Sequence, residues 1–104
     1  LPASLRQELE KTYGVKVGNA YATAELGFLA INTTGGLPLT LLPAPIIQVV
    51  APDTGKQVSA GEAGEVVITN FNKAYPLIRF GTGDMAIFDD PSPGRSRQQD
   101  RSIT

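Results

Sequence analysis

Apolar residues fall into two patterns along the chain. Near the start, Leu5, Leu9 and Tyr13 recur at intervals of four, which places them on one helical face. Ser4 and Gln7 have the spacing of a capping box, and Gly14 is the left-handed residue that ends a helix. Together they predict an amphipathic helix over residues 5–13. Beyond it the period shortens to two. Residues 15–20 alternate and predict a strand that delivers the chain to Tyr21, and further short strands are predicted at 27–32, 46–50, 65–70, 77–80 and 85–88. Between them lie turns by composition at 33–36, 52–55, 61–64 and 81–84. In Pro52-Asp53-Thr54-Gly55, proline fixes the first dihedral, the aspartate is expected to bond its own backbone, and glycine takes the positive φ. Residues 37–45 hold three prolines, each lacking a ladder donor, so an edge or irregular segment is expected there. No internal repeat is visible.

This succession predicts an α+β chain that is mostly β: short antiparallel strands forming a distorted barrel or sheet, with one N-terminal amphipathic helix. Residues 1–88 form the body. From Asp89 the composition turns polar and proline-rich, and 89–104 is expected to be a mobile tail. Arg95, Arg97 and Arg101 crowd that tail and are read as solvated, because Asp89, Asp90 and Asp100 flank them and no aromatic residues interleave.

Composition narrows the chemistry. The 104 residues carry nine basic and ten acidic side chains, net charge −1, which gives no electrostatic case for nucleic acid or an anionic membrane. There is no cysteine and no histidine, so disulfides, thiolate or imidazole zinc sites and Ser-His or Cys-His nucleophiles are excluded by residue type. A hard cation held by oxygen ligands remains possible. The longest apolar stretch, 35–50, is interrupted by Pro38, Thr40, Pro43, Pro45 and Gln48 and does not read as a membrane helix. No signal peptide is visible, and a cytoplasmic setting is the default expectation. Exposed strand edges are a possible route to an oligomer.

Two places raise chemical questions. Tyr21-Ala22-Thr23-Ala24-Glu25 sets one carboxylate among small residues, four positions after an aromatic ring, and Gly81-Thr82-Gly83-Asp84 is a glycine-rich stretch at a strand end. Taken singly, each reads as well as an exposed acid or an ordinary turn.

Read in order, the segments Tyr21-x-x-x-Glu25, Pro52-Asp53-Thr54-Gly55, Gly61-Glu62-Ala63-Gly64-Glu65-Val66 and Tyr75-Pro76-Leu77-Ile78-Arg79-Phe80-Gly81-Thr82-Gly83-Asp84 resemble the adenylate-forming enzymes. This superfamily contains acyl- and aryl-CoA ligases, peptide-synthetase adenylation domains and luciferases, and the last segment is most similar to its phenylacetate-CoA ligase branch. The resemblance spans about residues 15–88. It implies that Tyr21 stacks on adenine, a contact worth about 1–3 kcal/mol, that Asp84 accepts from the ribose hydroxyls, and that Asn19 and Ala22 lie against the nucleotide. It also implies that Glu25 holds the magnesium bridging the ATP phosphates.

The implied reaction joins a carboxylic acid, plausibly an aryl acid such as phenylacetate, to ATP as an acyl-adenylate, after which the thiol of CoA displaces AMP. The chain departs from the family at Ala22, where glycine is usual, at Ala24, where a hydroxyl usually reaches a phosphate oxygen, and at Gly81, where arginine is common. No catalytic residue is expected within these residues, because the family's phosphate loop would precede Leu1, and its hinge and catalytic lysine would follow Thr104. The chain is thus expected to be a fragment of the large N-terminal domain, inactive alone. The alternative is a non-enzymatic β-rich interaction or scaffold domain. Phe28 and Leu29 are candidates for an acid pocket or, more simply, for the core.

Overall fold

The computed structural model describes residues 2–24, 26–92 and 94–104. These residues form one helix and seven strands, all paired antiparallel. Helix α1 (Ala3–Tyr13) ends as expected: Gly14 is left-handed, and its N–H donates to the Glu10 carbonyl over 3.0 Å. Its start differs from the expectation. Pro2 takes the N-cap place with an extended backbone and no side-chain cap bond forms. The helix begins two residues early, so Ser4 and Gln7 are inside it and no longer placed to cap. Nor does the apolar stripe find a core. No helical residue is buried, with Leu5 41% and Tyr13 70% exposed. The helix is tethered instead by polar contacts: Arg6 Nη1 donates to the Thr34 carbonyl at 2.7 Å, and the Val17 N–H donates to Glu10 Oε1 at 3.3 Å. Gly35 makes this approach possible, since a Cβ there would fall 2.3 Å from the Val17 oxygen and 2.4 Å from Arg6 Cδ.

The strands are β1 (Asn19–Thr23), β2 (Gly27–Asn32), β3 (Leu39–Leu41), β4 (Ile46–Val50), β5 (Ala63–Asn70), β6 (Leu77–Asp89) and β7 (Ser102–Ile103). Their order is β1-β2-β3-β7-β6-β5-β4, an open sheet with β1 and β4 at its edges. Of the two forms expected, the distorted sheet is the one that occurs. Alternation supplies its core: Leu39 and Leu41, Ile47 and Val49, Val66 and Ile68, and Ala86 and Phe88 turn the same way and meet in one buried cluster with Leu29, Ala30 and Ile103. Residues from both ends of the strand order share that cluster, so the sheet curls over its own apolar face. In β2, Leu29 is the extra residue between the pairs Tyr21–Ala30 and Ala22–Phe28. This bulge turns both Leu29 and Ala30 inward and leaves Phe28 65% exposed, so of the two candidate pocket residues Leu29 is core and Phe28 is surface.

Three further expectations are corrected. Residues 15–18 stay outside the sheet, and the strand carrying Tyr21 starts only at Asn19. The proline-rich stretch 37–45 contributes β3, an interior strand rather than an edge, because Pro38 and Pro43 bracket a triplet whose N–H groups are all present. In the 52–55 turn, Gly55 has the expected positive φ of 71°, but Thr54 rather than Asp53 makes the local bond, its Oγ1 accepting from the Lys56 N–H at 3.3 Å.

The largest correction concerns residues 89–104. They return to the sheet, where β7 fits between β3 and β6, pairing Ile103 with Leu39 and Phe88. Ile103 is 4% exposed. The flanking acids explain why the arginine-rich approach folds. Asp90, with its side chain nearly buried, accepts from Ser96 Oγ at 2.5 Å and lies 3.4 Å from Arg101 Nε. Its charge is therefore paired where an unpaired one would be costly. Arg97 and Asp100 close a short 3-10 turn (Gln98–Asp100), and the Gln98 amide donates to the Leu42 and Pro45 carbonyls at 2.7 and 2.6 Å while accepting from the Ile47 N–H at 2.9 Å. That contact, with the Val58 N–H donating to the Val49 carbonyl at 2.9 Å, covers part of the β4 edge. No helix among the described residues is long and apolar enough to cross a membrane.

Ile103→Ala is expected to destabilise the fold by about 2–4 kcal/mol, read in chemical denaturation, because the cavity it leaves lies between two paired strands. Asp100 is held below its ordinary 3.8, first by the Arg97 backbone N–H and then by the Arg97 side chain. A lowered carboxyl pKa contributes stability that is present above the unfolded value and lost as pH falls through the folded one. A carboxyl NMR titration of Arg97→Ala should therefore move Asp100 only partway back toward 3.8, since the backbone donor remains.

Candidate functional site

The Tyr-Ala-Thr segment is in β1 and the Gly-Thr-Gly-Asp segment in β6, four places apart in the strand order. In a flat sheet that separation is about 19 Å, more than the two side chains span. In this curled one, the Tyr21 hydroxyl donates to Asp84 Oδ2 at 2.5 Å, joining residues 63 positions apart. Half-buried Tyr21 rests against the core cluster, with its hydroxyl reaching outward. Beneath the pair is a cavity of about 120 Å³ walled by Leu39, Val66, Met85, Ala86 and Ile103. The site therefore consists of an aromatic ring, one carboxylate and an apolar floor.

Asp84 owes its position to a bulge. Residues 77–89 run as one strand, not as two strands split by a turn, and the pairs Glu65–Met85 and Val67–Gly81 leave Thr82, Gly83 and Asp84 opposite Val66 alone. Gly83 has φ +78°, the left-handed value that glycine takes without strain. Thr82 Oγ1 donates to the Val66 carbonyl at 2.8 Å and accepts from the Asp84 N–H at 3.2 Å, while the Gly83 N–H donates to Glu65 Oε2 at 3.2 Å. The composition that suggested a turn instead turns Asp84 out of the ladder, toward Tyr21. Thr82 and Glu65 were not candidate site residues, although Thr-x-Asp is the spacing at which a threonine hydroxyl caps an amide two residues on. Glu65 has no such local signal. The same side chain accounts for Gly81, where a Cβ would lie 2.6 Å from Glu65 Oε2 and force that carboxylate to move.

The other candidates divide. Asn19 shares the burial phase of Tyr21 along β1 and pairs with Asn32 at the far end of the strand. Ala22 is in the opposite phase and exposed, next to Phe28, so only its backbone is near the Tyr21 face. Glu25, the expected magnesium ligand, lies outside the described residues, and among those described no three acidic side chains gather to hold a metal. A larger groove of about 440 Å³, between residues 43–46 and 69–72, has no titratable side chain in its walls. Of the candidate residues, Tyr21 and Asp84 are the two whose side chains the structure brings into contact.

Arg79 marks a second bulge in the same strand. Its φ is +47°, unusual for a residue with a side chain, and it is held by a backbone bond to Thr69 Oγ1 at 3.0 Å and by its guanidinium donating to the Gly55 carbonyl at 2.6 Å. It covers the outer side of β5 and points away from the Tyr21 and Asp84 pair.

Gly83→Ala should cost about 1–2 kcal/mol and lower the melting temperature by several degrees, since space around a Cβ is open there and the left-handed backbone is the sole penalty. Gly81→Ala, whose backbone is ordinary, should instead perturb the Glu65 carboxyl resonance in NMR.

Compared with known proteins, the chain matches no family model and no curated sequence.

Proposed function

We propose that the chain forms one wall of the nucleotide site of an ATP-dependent carboxylate-CoA ligase, an adenylate-forming enzyme acting on a carboxylic acid such as an aryl acid. The observation that carries this reading is the 2.5 Å bond between Tyr21 and Asp84. A base stacked on the Tyr21 ring would have its ribose within reach of the carboxylate to which that ring's hydroxyl is bonded. Two residues assigned to adenine and ribose by resemblance thus lie within the span of one nucleoside. A flat ring contributes stacking that tolerates any base, and a carboxylate grips adjacent hydroxyls through two acceptor oxygens.

In this reading Tyr21 orients the adenine, Asp84 fixes the ribose, and the reacting α-phosphate is held in line for the incoming carboxylate. Glu25 would hold magnesium, which would supply charge neutralisation at the phosphates. The chain holds the nucleoside end only. The phosphate loop and the catalytic lysine belong to other parts of such an enzyme, so these residues alone are proposed to carry no ligase activity. A second reading, a non-enzymatic interaction or scaffold domain, draws on apolar groups left uncovered: Phe28 at 65% and Tyr13 at 70% exposure.

AMP titrated into the chain with magnesium and followed by amide NMR should shift Tyr21 and residues 82–84. Tyr21→Ala and Asp84→Ala should each weaken binding about tenfold or more. Incubation with phenylacetate, ATP and CoA should yield no acyl-CoA. A folded wild-type chain that ignores AMP would favour the scaffold reading.

A further inference from the structure

We infer that the outer edge of β1 is an interaction surface whose partner is a second copy of this chain, paired antiparallel about Tyr21. The inference is independent of the nucleotide reading. The two edges of the sheet differ in how they are covered. Along β4, Gln98 accepts from the Ile47 N–H, the Val58 N–H donates to the Val49 carbonyl, and Val50 bridges to Gln57, the one bridge outside the named strands among the described residues. Beside β1 no described strand or bridge lies on the outer side. Nor does β1 carry the devices that keep an edge from pairing. Asn19-Ala20-Tyr21-Ala22-Thr23 has no charge and no proline, and the bulge in its ladder belongs to β2.

Symmetry and composition select the occupant. A two-fold axis normal to the sheet keeps the faces of both copies aligned, so one residue of β1 must lie opposite its own counterpart. Centring on Tyr21 uses the whole strand: Ala20 lies opposite Ala22 of the second copy, and Asn19 opposite its Thr23. Read from either end, β1 runs polar residue, alanine, tyrosine, alanine, polar residue, so no charge meets its own sign. The outward face adds apolar contact. Ala20 and Ala22 are exposed there, and their partners in β2, Ile31 and Phe28, are exposed large apolar side chains. Across the seam each row reads Phe28, Ala22, then Ala20 and Ile31 of the second copy, and the alanines leave room for the larger side chains to lean over the joint. A five-residue seam is smaller than a stable interface, so a dissociation constant of about 10–300 µM is expected.

Sedimentation of the chain between about 10 µM and 1 mM should show a monomer–dimer equilibrium. Ala20→Lys combined with Ala22→Lys sets lysine against lysine across the seam and should weaken dimerisation about tenfold, as should Ala20→Glu combined with Ala22→Glu. Mixing the lysine variant with the glutamate variant should restore a dimer holding one copy of each, a result that misfolded variants cannot give. Register is read separately. Because the chain has no cysteine, mild oxidation of a mixture of Ala20→Cys and Ala22→Cys should join position 20 of one copy to position 22 of the other in preference to 20 with 20 or 22 with 22. A wild-type chain that stays monomeric at about 1 mM overturns the inference. So does a dimer that the paired lysines leave intact, since its contact lies on another surface, or a mixture of folded lysine and glutamate variants that stays monomeric.

Discussion

The sheet has an apolar face and no second layer to cover it. Helix α1 buries none of its residues, so the side chains of Leu29, Leu41, Val49, Val66 and Ile68 leave water only by meeting one another. Burying an aliphatic side chain of this size contributes about 1.5–3 kcal/mol, and a flat sheet would forgo most of it. The sheet must therefore curl. Bulges at Leu29, near Arg79 and at residues 82–84 supply the local bends, the first two adding one residue to a strand that its partner lacks and the third adding two. The meeting of Tyr21 and Asp84 follows from this curvature, because only a curled sheet brings β1 across β2, β3 and β7 to β6.

Strand β5, between β4 and β6, is buried on both faces. Val66 and Ile68 face the shared core, while Val67 and Thr69 are buried on the other side, where Arg79 reaches across to the 52–55 turn. Thr69 is the one buried polar side chain among the described residues, and it is satisfied by accepting the Arg79 N–H. The strained backbone of Arg79, which costs about 1–2 kcal/mol for a left-handed non-glycine residue, is offset by anchoring the outer surface of this strand.

Local pattern carried much of the fold. The strands at 27–32 and 46–50 were legible to the residue, because each is a short apolar run bounded by turn-forming residues. The helix was legible from its four-residue spacing, though its start was not, since Pro2 rather than Ser4 takes the cap position. What could not be read is what depends on a distant partner. Gly-Thr-Gly-Asp has the same composition whether it reverses the chain or bulges out of a strand, and only the register against Val66 distinguishes the two. Ser102 and Ile103 are too few to show a period, so their place at the centre of the sheet leaves no local trace. Tyr21 and Asp84 became candidates through resemblance, yet their direct contact has no signature in spacing. It is a property of the curl.

The placement of β7 has a consequence for how the chain acquires its structure as it is made. β3 and β6 are interior strands, but the ladder between them is filled by residues 102 and 103. When a ribosome has delivered β1 through β6, the sheet is still two pieces, each with a bare edge and an uncovered share of the core. The closing pairs, Leu39 with Ile103 and Phe88 with Ile103, join these pieces, the former over a loop of more than sixty residues. Such non-local closure is slow and exposes unpaired edges while it waits. Pairing of these strands thus waits on Ser102 and Ile103: until they dock, the edges of β3 and β6 stay open to pairing with other strands.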